Sequence, residues 1–153
     1  MASTRLASIS TTETLLDETI SVLQEEPTAS EAYTPLGSVQ KFSRRDMTKL
    51  AAVLSAAHLP AAVVMYDGSS YQNGRAPVRT ARIGVVVRWS SRGNPEEQAV
   101  LARAQLDATI QRLDEHVQSG TGTTAVWYVT ADGVAEGKDG SINYYAFFEA
   151  HDH

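Results

Sequence analysis

Two hydrophobic periods alternate along this chain, one of three to four residues and one of two. Leu15, Leu16, Ile20 and Leu23 fall on one side of a helix that should end near Gln24, before Pro27. Ser10-Thr11-Thr12-Glu13 fits a capping box at its start, where hydroxyl and carboxylate satisfy free amides. Residues Pro27 to Phe42 hold two prolines, a glycine and few large apolar groups. They read as an irregular connector with a short extended piece near Gly37 to Phe42. A second box, Ser43-Arg44-Arg45-Asp46, opens a helix with Met47, Leu50, Ala51 and Leu54 in its stripe, ending near His58 before Pro60.

The period of two then takes over. Ala61-Ala62-Val63-Val64-Met65-Tyr66 is a short apolar run ended by Asp67-Gly68, as expected of a strand buried on both faces. After a polar loop, Ser69 to Pro77, a strand from Val78 to Ser90 alternates Ala81, Ile83, Val85, Val87 and Trp89 with Thr80, Arg82 and Arg88. The two strands make a long-looped hairpin. Asn94-Pro95-Glu96-Glu97 starts a helix with a cap, a proline at the first position and acids against the dipole. Ala99, Ala102, Leu106, Ile110, Leu113 and Val117 form its buried stripe, which carries it to about Gln118. Strands at Thr124 to Thr130 and Ile142 to Ala150 follow, joined by a loop from Ala131 to Ser141, and His151-Asp152-His153 reads as a frayed tail. The class is α+β, with about three helices on one face of a four- to five-stranded sheet. Residues 1–9 are expected to be flexible.

Composition narrows what this fold is for. At 153 residues with a hydrophobic fraction of 42% and a charged fraction of 20%, the chain suits one compact domain that needs no disulfide or metal. It has no cysteine, which excludes thiolate metal sites and a cysteine nucleophile. Its net charge of −5 argues against gripping phosphate backbones but suits a protein that lets DNA pass without sticking. Met1 to Ser10 has one arginine and no apolar run, and no stretch approaches the ~18 apolar residues of a membrane span. The expectation is a protein folded in a cytoplasm.

Candidate catalytic motifs are thin. Gly120-Thr121-Gly122 follows a helix and precedes a strand, the reverse of a dinucleotide fingerprint. Gly137-Lys138-Asp139 lacks the hydroxyl of a phosphate loop, and Val134 breaks a calcium-loop pattern. Glu149 and His151 share one side of a strand but read as an exposed strand end. His58 suits a helix C-terminus, and His116 is a boundary residue of the long helix. Lys41, Arg44, Arg45 and Lys49 form a basic cluster that would meet a partner or DNA, or be a solvated face. The strongest signal is aromatic. Trp127, Tyr128, Tyr144, Tyr145, Phe147 and Phe148 crowd two strands, and neighbours on a strand point to opposite faces. Helices cover one face, and a monomer tolerates little contiguous apolar exposure on the other. An identical subunit is the expected cover, with Trp127, Tyr128, Tyr144, Tyr145 and Phe147 as candidate contacts; a small ligand pocket is the alternative.

The run of segments "LPAAVVMYDG" (Leu59 to Gly68), "ARIGVVVRW" (Ala81 to Trp89), "LDATIQRLDEHV" (Leu106 to Val117) and "NYYAFFEAHD" (Asn143 to Asp152) resembles the tail terminator proteins of tailed bacteriophages, in particular the contractile-tailed and Mu-like types. The resemblance spans most of the chain as a pattern of elements, without a catalytic signature. It implies a mixed, mostly antiparallel sheet and a structural virion protein at the tail–neck junction. Such a protein forms a hexameric ring on the tail tube, ends tail polymerisation and joins tail to neck or head. The partners implied are further copies of itself, the tail-tube protein, a neck or head-completion protein and the sheath. DNA passes through the lumen without specific binding, and no cofactor, metal or catalytic residue is implied. The rival expectations are another tail-tube or neck-completion protein, and a small ligand-binding α+β domain.

Overall fold

The computed structural model describes residues 10–42, 50, 54, 59–72, 78–89, 93–119, 124–136 and 142–152. The strand with the apolar row Ala81, Ile83, Val85, Val87 and Trp89 lies at the centre. This strand, β3 (Val78–Trp89), buries that row along one side and pairs antiparallel with both β2 (Ala61–Gln72) and β5 (Ile142–Asp152). β1 (Ser38–Phe42) adds to β2 in parallel, and β4 (Ala125–Glu136) adds to β5 antiparallel. The sheet order is β1-β2-β3-β5-β4, a five-stranded mixed sheet in an α+β fold, as the sequence leads one to expect.

Two helices, α1 (Thr12–Gln24) and α2 (Pro95–Leu113), pack on one face. Leu15, Leu16, Leu23, Leu106 and Leu113 meet Val64, Val85, Trp127, Tyr144 and Phe148 there. Thr11, not Ser10, caps α1, its hydroxyl oxygen accepting from the Thr14 amide. Ser10 is buried instead: its hydroxyl donates to Gln118 Oε1 at 2.9 Å, and its carbonyl accepts from Arg79 Nη1 at 2.8 Å. Asn94 caps α2 by accepting from the Glu96 and Glu97 amides.

The connector from Pro27 is irregular up to β1, but α2 fixes it. Gln105 accepts from the Thr34 amide and donates to the Thr34 carbonyl. Arg112 reaches Glu31 Oε2 at 2.8 Å, donates to the Val22 and Glu25 carbonyls that end α1, and stacks on the Tyr33 ring at 3.6 Å.

Several boundaries move. α2 ends at Leu113, one turn short of Gln118, with Asp114 as C-cap and Glu115 at φ 64°. A further turn would bury only Val117, whereas leaving the helix lets residues 115–118 pair with β4; Val117 is accordingly exposed. β2 and β4 each run beyond the expected loop start. A bulge between Tyr66 and Ser69 lets β2 continue to Gln72, and one between Val129 and Ala131 lets β4 continue to Glu136. Asp132-Gly133 reads as a turn in sequence, but each residue from Ala131 to Glu136 finds a partner on β5. β5 likewise includes His151 and Asp152, expected to fray; Asp152 is buried.

Most of the helix expected at Ser43 to His58 lies outside the described residues, as do residues 1–9 and the glycine-containing stretches 120–123 and 137–141. Of that helix, Leu50 and Leu54 are described as helical, and Leu54 is buried against Ala61, Val63 and Met65. These are the alternates of Ala62 and Val64, so Leu50 and Leu54 pack on the face opposite α1 and α2, not on the same face. Among the described residues no helix is long and apolar enough to cross a membrane.

Candidate functional site

Alternation along β4 and β5 divides the aromatic residues between the two faces. Trp127, Tyr144 and Phe148 point under the helices and are fully buried. Trp127 Nε1 donates to Thr19 Oγ1 at 3.1 Å, and the Tyr144 hydroxyl lies 3.4 Å from that of Thr109, with burial raising its pKa well above the usual phenol value. This corrects two candidate contacts: Trp127 and Tyr144 are core residues, because helical cover on that side leaves no route to a partner. Tyr128, Tyr145 and Phe147 emerge on the other face, half-exposed, and none of the described helices or strands lies over them.

Two of the three rings, Tyr145 and Phe147, lie close over the backbone because their cross-strand neighbours are glycines. Tyr145 is the register partner of Gly133 and Phe147 that of Gly84. A Cβ on Gly133 would overlap the Tyr145 ring, and one on Gly84 would sit 3.0 Å from Phe147 Cε1 and 3.3 Å from Met65 Cγ. Glycine inside a strand thus marks a place where a side chain crosses the backbone closely. The Tyr145 and Phe147 ring centres are 5.6 Å apart, and Tyr128 meets the His151 ring edge-on at 5.2 Å. Glu149, in register between Tyr128 and Arg82, has its Oε2 3.1 Å from His151 Nε2, and Arg82 Nε donates to the Asp67 carbonyl at 3.3 Å. The open face thus carries two ring contacts, Tyr145 with Phe147 and Tyr128 with His151, with the Glu149 carboxylate between them along β5.

No family model and no curated protein sequence matches the chain. Geometry is therefore what bears on function.

A hollow of about 260 Å³ lies beside Phe147, bounded by Asp67, Arg82, Thr130 and Ala131. It falls below the ~300–1,000 Å³ of ordinary ligand pockets. The basic cluster does not join this surface. Lys41 sits on the other edge strand and on the helix-covered side, its Nζ 2.6 Å from Glu13 and 2.7 Å from Asp17. Arg44, Arg45 and Lys49 lie outside the described residues, as does His58.

A carboxylate–histidine–serine group occurs where α1 meets residues 116–119. Glu18 Oε1 contacts His116 Nε2 at 2.9 Å and accepts from the Ser119 amide and hydroxyl, each at 3.0 Å. A nucleophile needs its hydroxyl on the base; here hydroxyl and imidazole both turn to the same carboxylate oxygen. The group is a tie between elements, and His116 also packs edge-on to Trp127 at 5.3 Å. Among the described residues no three acidic or histidine side chains gather as a metal site.

Gly84 and Gly133 were the residues whose role sequence reasoning missed. Their signal was available: an isolated glycine within a strand, with an aromatic in register on the neighbouring strand.

Proposed function

We propose that this chain is a structural subunit of a phage tail, a terminator that caps the tail tube as a ring and joins it to the neck or head. The observation that carries the reading is the open aromatic face of β4 and β5. Tyr128, Tyr145 and Phe147 hold bulky rings on the face that the two described helices leave open, in two ring contacts with Glu149 between them, which suits contact with another folded protein. The serine–histidine–carboxylate group found among the described residues is wired as a tie, which gives the catalytic alternative little to draw on. The net acidic chain also suits a lumen through which DNA slides.

Ending a polymer requires one face that matches the tube and another that recruits no further tube subunit. A closed ring of identical subunits provides both at matched symmetry. The test is to mix the purified protein with purified tail tubes and image them by negative-stain electron microscopy. The expected result is a sixfold ring at one end of each tube and arrest of tube growth. Among the described residues both outer strands of the sheet have edge without a backbone partner, which favours, as a second reading, a tube or neck subunit; indefinite tubes formed by this chain alone would decide for it.

A further inference from the structure

The two edges of the sheet differ in what already covers them. β4 is 12 residues long, and among the described residues its outer side lacks a partner along only half its length. The segment after α2 occupies the first half: the Glu115 and Gln118 amides donate to the Trp127 and Ala125 carbonyls at 2.7 Å, and the Trp127 amide donates to the His116 carbonyl at 2.9 Å. Side-chain oxygens of Gln118 and Asp114 accept from the Ala125 and Val129 amides at 3.0 Å. Beyond the bulge, Ala131–Glu136 pairs with β5 and has no backbone partner on its outer side among the described residues. The opposite edge is β1, 5 residues long and also without an outer partner among the described residues.

Side-chain face and amide direction alternate together along a strand. Ala125, Trp127 and Val129 have side chains on the helix-covered face and amides pointing outward. Asp132 and Val134 are in register with Ala146 and Tyr144 of that same face, so their amides point outward too. β1 runs opposite to β4, as the pairings between them dictate, and lies at the other edge. A half-turn about the sheet normal therefore relates the two, and Val39 and Lys41 present their amides on the outer side of β1.

We infer that β4 of one copy pairs antiparallel with β1 of the next, so that one sheet continues around the assembly. The inference rests on the ring reading and names its subunit contact. The register that fits is Val39 opposite Val134, Lys41 opposite Asp132 and Gln40 opposite Gly133, which seats all of β1 within the free half of β4. Val134 is 45% exposed in the single chain, and this register covers it with a valine. Self-pairing of β4 about Val134 would instead set Asp132 against Glu136 twice, and like charges directly opposite destabilise a pair. Lys41 already serves Glu13 and Asp17, so its attraction to Asp132 excludes the wrong partner more than it drives the right one. Joining two different edges is a heterologous contact, which closes into a ring when the rotation permits.

The absence of native cysteine makes a cross-link test clean. Cα atoms in such a hydrogen-bonded antiparallel pair lie about 5.5 Å apart, within disulfide range. The full chain carrying both Lys41→Cys and Asp132→Cys, oxidised with tail tubes present, should give a ladder of covalent multimers ending at ring size; either single variant should stay uncross-linked. Val134→Pro removes an outward amide while sparing the β5 ladder, so the monomer should keep its circular dichroism and lose assembly. Rings without the ladder overturn the edge pairing and leave the ring reading standing. A ladder found in open filaments supports the pairing and overturns the ring. Dimers from Asp132→Cys alone overturn the pairing in favour of β4 against β4, and no assembly under any condition overturns both.

Discussion

β5 shows the two sides of this protein on one strand. Tyr144, Ala146, Phe148 and Ala150 face the helices and are buried, whereas Tyr145, Phe147, Glu149 and His151 face outward and are half-exposed. Rings on the covered side fill a core, and the polar atoms of Trp127 and Tyr144 lie against threonine hydroxyls. Rings on the open side lie across glycines and touch each other or a histidine. Similar residue types thus do different work: one row holds the fold together, the other shapes a surface.

The largest expected effect sets the two rows against each other. Trp127→Ala leaves a cavity and removes the indole's hydrogen bond to Thr19, and should cost about 3–5 kcal/mol of stability in urea unfolding. Tyr128→Ala, one residue along, should cost under ~1 kcal/mol while weakening attachment to tail tubes. Equal losses would mean the open face is a second core. Next comes the polar tie on the covered side. Arg112→Ala removes the contact to Glu31, the bonds to the Val22 and Glu25 carbonyls and the Tyr33 stack, for an expected loss of about 2–3 kcal/mol. Amide exchange in the connector should quicken with it. A smaller effect belongs to the open face. Gly133→Ala forces the Tyr145 ring to move and should cost about 1–2 kcal/mol. Most of that should vanish in a Tyr145→Ala background, and a cycle without coupling would show that the ring does not lie over the glycine.

The covered side was the legible one. Alternation in β3 and the leucine spacing of α1 and α2 follow from burial against a continuous layer, and each residue there answers to one periodic rule. The open side obeys no single period. Asp132-Gly133 carries turn chemistry yet sits in a strand, because tertiary pairing with Gly133's neighbour Tyr145 outweighs local preference. Val117 fits a helical stripe but leaves the helix, because the strap it belongs to gains backbone bonds along β4. Sequence also placed Trp127 and Tyr144 with Tyr128 and Tyr145 as one candidate surface. Alternation implies that neighbours separate, but not which member of each pair meets the helices; that depends on the register with β3. The same limit applies to Lys41, whose partners Glu13 and Asp17 are brought in by the packing of α1 on β1.

The smallest effect concerns the strap that separates the covered half of β4's edge from its free half. Glu18 holds that strap. Burial pulls its carboxyl upward, but the Ser119 amide, the His116 ring and the Ser119 hydroxyl together outweigh burial and hold it below the ordinary value of 4.5. A carboxyl depressed in the folded state contributes stability that is present above the unfolded value and is lost as pH falls through the folded one. The stability difference between wild type and Glu18→Gln, measured by urea unfolding, should therefore shrink as the pH falls below 4.5. A difference that persists unchanged into strong acid would show that the neutral carboxyl binds the strap equally well. In that event the division of the edge rests on the backbone bonds of Glu115, Gln118 and Trp127 and the side-chain bonds of Gln118 and Asp114, without a contribution from the ionised Glu18.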